Sequence, residues 1–244
     1  KDYVHPETGK TYNVDKLELK TDEGRGFGKA KFILKEGGTL GDLYTHADLK
    51  RDINGNILID DSGNVTAIDN AGDIKLGSVL PKANLAWNNS FSYKGINAGF
   101  LLTARLGGIV YSATQAYLDL YGVSETSAAA RDAGGVWING RSHVNPQSFY
   151  EVVASQSGLP TYYTYSATNL RLQEAHIGYT VPRRWLGNVC DINVSLVGRN
   201  LWMIYCKAPF DPEAVATTNN YYQGIDYFMM PSTRNIGFNI KINF

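Results

Sequence analysis

The sequence predicts an all-β chain, an antiparallel transmembrane β-barrel segment with long extracellular loops. Three observations lead there. Apolar and polar residues alternate with period two through segments of roughly 10 to 14 residues, long against the usual ~5 or 6 of globular sheets. The polar faces of those segments are Asn, Ser and Gly with an occasional Arg, where a soluble sheet would show Lys, Glu and Thr. Short turns then alternate with much longer spacers, the asymmetry of outer-membrane barrels.

Residues 1–80 read as strand and loop, with one strand near 29–46. "DEGRGFG" (22–28) lacks the Lys-Ser/Thr of a phosphate loop and reads as a flexible connection. "RDINGNILIDDSGN" (51–64) offers Asp52, Asn54, Asn56, Asp60 and Asp61, but Gly55 and Gly63 fall at the wrong positions for a calcium loop. An Asn-Gly hairpin turn between short strands is the simpler reading.

The alternating strands follow. "NLAWNNSFSY" (84–93) sets Leu85, Trp87, Phe91 and Tyr93 against Asn and Ser, and a short Lys-Gly turn leads into "INAGFLLTARLG" (96–107). "NLRLQEAHIGYTV" (169–181) slips phase between Leu172 and Ala175, which predicts a β-bulge near Gln173–Glu174. "DINVSLVGRNLWMI" (191–204) and "NIGFNIKINF" (235–244) repeat the pattern. The last places Ile236, Phe238, Ile240, Ile242 and Phe244 on one face. Of the long spacers, 109–167 contains an Ala-rich stretch of helical character at 111–131 and an aromatic cluster at 159–165, and 206–233 contains another cluster at 221–228.

Lipid and a protein core are the two environments that accept such apolar faces. Membrane strands need about 9–11 residues per crossing, with aromatics near the interfaces. Trp87, Tyr93, Tyr179, Trp185 and Trp202 stand toward strand ends, so the physics favours the membrane barrel over a soluble all-β domain. Arg105, Arg171, Arg199, Arg234 and Lys241 occupy polar faces, where they are wetted or paired; on a lipid face Arg would cost ~2–4 kcal/mol.

Composition narrows the functions. Lys plus Arg and Asp plus Glu are both 23, so net charge is zero and no nucleic acid partner is expected. No apolar run approaches the ~18 residues of a transmembrane helix. No charged stretch followed by an apolar core opens the chain, so the expectation is either no export or a mature piece whose start is missing. Cys190 and Cys206 flank one extended run; at ~3.3 Å per residue their Cα atoms lie ~50 Å apart, far beyond disulfide reach, so two free thiols are expected. His5, His46, His143 and His176 show no ligand spacing, and no nucleophile–base pattern is present, so neither metal, cofactor nor enzymatic chemistry is expected.

Read together, "SYKGINAGFLLTARLGGIVYSAT" (92–114), "TNLRLQEAHIGYTVPRRW" (168–185), "VGRNLWMI" (197–204), "DPEA" (211–214) and "PSTRNIGFNIKINF" (231–244) resemble the C-terminal barrel region of the SusC/RagA-type TonB-dependent transporters of Bacteroidota. The resemblance covers most of residues 80–244. It implies the last strands of a 22-stranded outer-membrane barrel, with the C-terminus periplasmic and the long spacers extracellular. Residues 1–80 would then supply barrel strand and extracellular loop with a hairpin, and 81–244 the C-terminal transmembrane strands and their loops. It further implies a plug domain, a TonB-contacting region outside this chain, a SusD-like surface lipoprotein, and a dimer of transporter–lipoprotein pairs. Import of an oligomeric nutrient, glycan or peptide, would follow. Tyr162, Tyr163, Tyr165, Tyr221 and Tyr222 on the loops, with Arg105 and Arg199 on the lumen face, are the candidate substrate contacts, although loops simply packing on one another is the simpler account of the tyrosines. Phe238, Ile240, Ile242 and Phe244 resemble a membrane-insertion signal. Paired lumen charges are expected to meet plug carboxylates more than substrate. The alternatives are a passive porin or surface adhesin barrel, or a soluble glycan-binding β-domain.

Overall fold

The computed structural model describes residues 2–4, 6–13, 15–19, 29–187, 189–216 and 223–243. The 22–28 loop, Tyr221, Tyr222 and Phe244 lie outside the described residues. The chain divides into two compact units. One gathers Lys1–Leu80, Ile109–Tyr165 and Val215–Met229; the other gathers Pro81–Gly108, Ser166–Ala214 and Met230–Phe244.

The second unit is an antiparallel meander of five strands, β1 (Ala83–Tyr93), β2 (Ile96–Leu106), β3 (Asn169–Val181), β4 (Asp191–Cys206) and β5 (Asn235–Asn243). Each strand pairs with its neighbours in sequence, giving the order β5-β4-β3-β2-β1. The β1–β2 turn is a two-residue hairpin in which Lys94 and Gly95 both have positive φ (49° and 85°), matching the twist of the flanking strands. A Cβ at Gly95 would also lie 2.9 Å from the Thr180 carbonyl oxygen. Gln173 is the bulge: Glu174 pairs with Leu101 and Leu172 with Leu102, leaving Gln173 unmatched. Cys190 and Cys206 are free thiols.

Register converts the one-dimensional alternation into two continuous faces. Tyr93, Ile96, Tyr179, Val194 and Ile240 form one cross-strand row; Phe91, Ala98, Ile177, Leu196 and Phe238 form the next. Trp87, Leu102, Leu172 and Trp202 form a third, and Trp87 meets Phe100 edge-on at 5.5 Å. Interleaved with them run Ser92, Asn97, Gly178, Ser195 and Asn239 on the other face. Phe238, Trp202 and Leu196 are 77%, 61% and 54% exposed, so among the described residues the apolar face is largely uncovered. Along β4 the band runs ten steps from Ile192 to Trp202, ~33 Å at ~3.3 Å per residue. At a strand tilt of about 40° it rises ~25 Å, the height of the apolar belt on a membrane barrel. No helix among the described residues is long and apolar enough to cross a membrane.

The first unit has the buried core that the wall lacks. Phe32, Leu43, Val79, Tyr111, Phe149, Leu159 and Ile225 are buried together. A four-stranded sheet contributes Lys16–Leu19, Ala30–Lys35, Asp42–Thr45 and Ile74–Ser78. The Ala-rich stretch is two helices, α1 (Ala113–Leu120) and α2 (Glu125–Asp132), capped by Ser112 and Ser124, whose side chains accept from the backbone N–H groups of Gln115 and Ser127. A third helix, α3 (Pro146–Val153), starts on an Asn145 cap with proline in its first turn.

Residues 52–65 hold two copies of one turn, where the sequence reading expects a single Asn-Gly hairpin. Asp52 Oδ1 accepts the N–H groups of Asn54 and Asn56 at 2.8 Å, and Asp60 Oδ1 those of Ser62 and Asn64 at 2.9 and 2.8 Å. Gly55 and Gly63 take the positive-φ position in each. These aspartates are occupied by their own backbone.

An ion cluster ties the edge of the four-stranded sheet. Asp73 accepts Lys16 Nζ at 2.8 Å and Lys35 Nζ at 2.6 Å. Hydrogen bonds from Lys16 and then Lys35 pull its carboxyl from 3.8 to about 2. Because the folded value lies below the unfolded one, the cluster contributes fully above roughly pH 4 and its contribution is lost as pH falls through about 2. An NMR titration of the Asp73 carboxyl is expected to report that low midpoint. Asp73→Asn should abolish the matching acid step in protease sensitivity.

Candidate functional site

The polar face of the wall is a hydrogen-bonded lattice of short side chains. Asn97 Nδ2 and Asn193 Nδ2 both donate to Thr180 Oγ1, at 3.0 and 2.9 Å, and Ser92 Oγ donates to Asn97 Oδ1 at 2.8 Å. His176 lies over Gly99, where a Cβ would meet its ring carbon at 2.5 Å, so a larger residue there would displace the imidazole. Glu174 and His176 share this face, two residues apart beyond the bulge.

Two of the charges on this face, Arg171 and Arg199, have carboxylate partners within the chain. Arg199 Nε reaches Glu174 Oε2 at 3.1 Å, with the Arg199 side chain mostly exposed. Arg171 is 4% exposed and donates from Nη2 to Asp211 Oδ1 at 2.8 Å, with Glu213 Oε2 at 3.3 Å. Asp211 also accepts from Ser232 Oγ and from the Glu213 backbone N–H. Burial pushes the Asp211 carboxyl up, but hydrogen bonds from Ser232 and Arg171 outweigh it and hold the group below its usual value. This corrects the expectation that paired wall charges await plug carboxylates: for Arg171 and Arg199 the carboxylates are supplied here. Arg105 stands in register between Asn84 and Asn169, and Lys241 opposite Asn193.

The Arg171 network borders a cleft of about 410 Å³. It opens because β4 pairs with β5 only as far as Arg199↔Asn235, while on its other edge β4 stays paired with β3 out to Cys206. Pro209, Phe210, Pro231 and Arg234 line it with Trp202. The arrangement provides a surface of mixed apolar and polar groups with fixed charges.

The loop tyrosines sit differently from one another. Tyr163 is 3% exposed and donates to Asp119 Oδ2 at 3.0 Å, a core position; burial raises its phenol far above the usual range. Tyr165 is half-buried, its phenol pushed up to about 12 by burial, and Tyr162 packs edge-on against Phe149. Among the described residues of this unit, exposed Tyr227 and Phe228 cluster with half-buried Tyr117, with ring centroids 5.2–6.3 Å apart. Nothing in the local sequence separates these from the buried tyrosines, since both groups lie in irregular, aromatic-rich spacers. Arg171 was named in the sequence as a polar-face charge, but its pairing with Asp211 was not; the Asp-Pro step at 211–212 is the local signal that marks the turn.

No protein-family profile matches the chain. A curated relative does: the TonB-dependent receptor P3 of Formosa agariphila, 23% identical over 93% of this chain and 24% of its own length. Among solved structures, a chain of the RagAB peptide importer in its closed-closed state matches 96% of this chain at TM-score 0.57 and 15% identity. A chain of the open-open state matches all of it at 0.53 and 16%. The chain spans about a quarter of the length of each of these relatives. In fold the chain resembles a quarter-length segment of a chain of the RagAB importer, and in sequence it is similar to one quarter of a TonB-dependent receptor.

Proposed function

We propose that the chain supplies wall strands and outer loops to a TonB-dependent transporter of the outer membrane. The observation that carries this is the five-strand register, which sorts apolar and polar residues onto opposite faces of one sheet with the apolar face open. In this reading lipid covers the Leu196–Phe238 row and water fills the space before the Asn97–Thr180–Asn193 lattice. The turns at 93–96 and 182–190 face the periplasm, and the long spacers are extracellular.

The whole transporter imports an oligomeric nutrient. A peptide is the cargo class of the RagAB importer it resembles in fold, and a glycan is the other class the sequence resemblance implies. A SusD-like lipoprotein covers the outer loops, a plug domain fills the lumen, and TonB acts through a region outside this chain; two such pairs form a dimer. No bond is made or broken. Arg105 and Arg199 are the lumen contacts for passing substrate, with Tyr162, Tyr165, Tyr221 and Tyr222 on the loop side, while Tyr163 holds the loop core. Phe238, Ile240, Ile242 and Phe244 form the apolar edge recognised during membrane insertion.

The test is extraction of the polypeptide from its native membrane, with mass spectrometry of whatever co-purifies. The expected companions are a plug-bearing polypeptide and a surface lipoprotein. Recovery as a soluble species without detergent would remove the reading.

A further inference from the structure

The end of the wall that carries the two short turns is basic, and its one carboxylate among the described residues is occupied. Lys94 stands in the β1–β2 turn, and Arg183 and Arg184 in the turn after β3. Asp191 opens β4 at the same end, and Arg183 Nε engages its Oδ2 at 2.9 Å. Lys94 and Arg184 have exposed side chains and no ion-pair partner among the described residues. The two turns adjoin, since the Thr180 N–H donates to the Gly95 carbonyl at 2.7 Å. Around these cations stand exposed Tyr93, Trp185 and Val189, with Lys94 Nζ 5.1 Å from the Tyr93 ring centre.

Amphipathic rings beside unpaired cations, at the margin of a wide apolar face, match one chemistry. Tyr and Trp rest at the headgroup level of a bilayer, and Lys or Arg there is drawn to anionic lipid. We infer that this rim is a docking surface for anionic glycerophospholipid headgroups, whose phosphates meet Lys94 and Arg184 while their acyl chains lie along Tyr93, Trp185 and the apolar rows. The inference rests on the membrane reading above and adds a lipid selectivity to it. Charge complementarity names the occupant: a zwitterionic headgroup also offers a phosphate, but its own ammonium cancels that charge and leaves the positive charge of the rim uncompensated.

The full polypeptide in detergent is titrated with phosphatidylglycerol and phosphatidylcholine, and the adducts are counted by native mass spectrometry. Wild type is expected to retain phosphatidylglycerol preferentially. Each cation is worth a factor of about five, so Lys94→Ser with Arg184→Ser should lose ~25-fold of that preference. Both positions are exposed turn residues, and a gel shift on heating verifies that the variant barrel is folded. An unchanged preference in the folded variant overturns the assignment while phosphatidylcholine adducts keep the membrane reading intact. Displacement of phosphatidylglycerol by inorganic phosphate alone also overturns it, because the site would then hold a soluble anion. A polypeptide that needs no detergent and binds neither lipid fails at the membrane reading itself.

Discussion

Leu196→Arg should destabilise the folded wall in a bilayer by about 2–4 kcal/mol, while Ser195→Arg, one residue away, should cost a small fraction of that. Leu196 sits mid-height in the row with Phe91, Ile177 and Phe238, where hydrocarbon would surround a guanidinium. Ser195 lies between Gly178 and Asn239 on the opposite face, where water is available. β-propensity and strand position are nearly the same for the two sites, so the difference isolates the environment of each face. Urea titration of the full polypeptide folded into phosphatidylcholine vesicles measures it. Equal costs at 195 and 196 would mean that both faces meet the same solvent.

Arg171→Ala should be the other large loss, about 3–5 kcal/mol, because it strands a buried carboxylate. The Asp211 side chain is 10% exposed and takes Arg171 Nη2, Ser232 Oγ and the Glu213 N–H. Without the guanidinium, two acids, Asp211 and Glu213, are left facing each other. Arg171→Met combined with Asp211→Asn removes both halves of the central pair and should recover much of the loss, the signature of a coupled contact. The heating gel shift and urea midpoint report both variants. A negligible effect of Arg171→Ala would mean that the network is solvated and contributes little.

The wall was largely legible in the sequence because strand periodicity is local. Each face of β4 can be written from Ile192, Val194 and Leu196 against Asn193 and Ser195, and the phase slip at Gln173 announced the bulge before any partner was known. The loop unit was not legible, because its core joins Phe32, Leu43, Tyr111, Tyr163 and Ile225 from distant stretches without a common period. The aromatic cluster at 159–165 read as loops packing on one another more simply than as a substrate platform, and the fold buries Tyr163, but which ring goes inside was not legible. The repeated turns at Asp52 and Asp60 share a D-x-[NS]-G-N-[IV] pattern eight residues apart, and a calcium-loop template hid that repeat. Arg171 and Asp211 are separated by 40 residues, so their pairing needed the register of β3 and β4 to appear.

The most direct measurement is a scan of single nitroxide labels along β4, from Asp191 to Cys206, in the full polypeptide reconstituted in lipid. Labels at Val194, Leu196 and Trp202 should collide with oxygen dissolved in the bilayer. Labels at Asn193, Ser195 and Arg199 should collide with a water-soluble relaxant, giving an alternation of period two. Relaxation by the aqueous agent on both faces would contradict the membrane wall and return the sheet to solution.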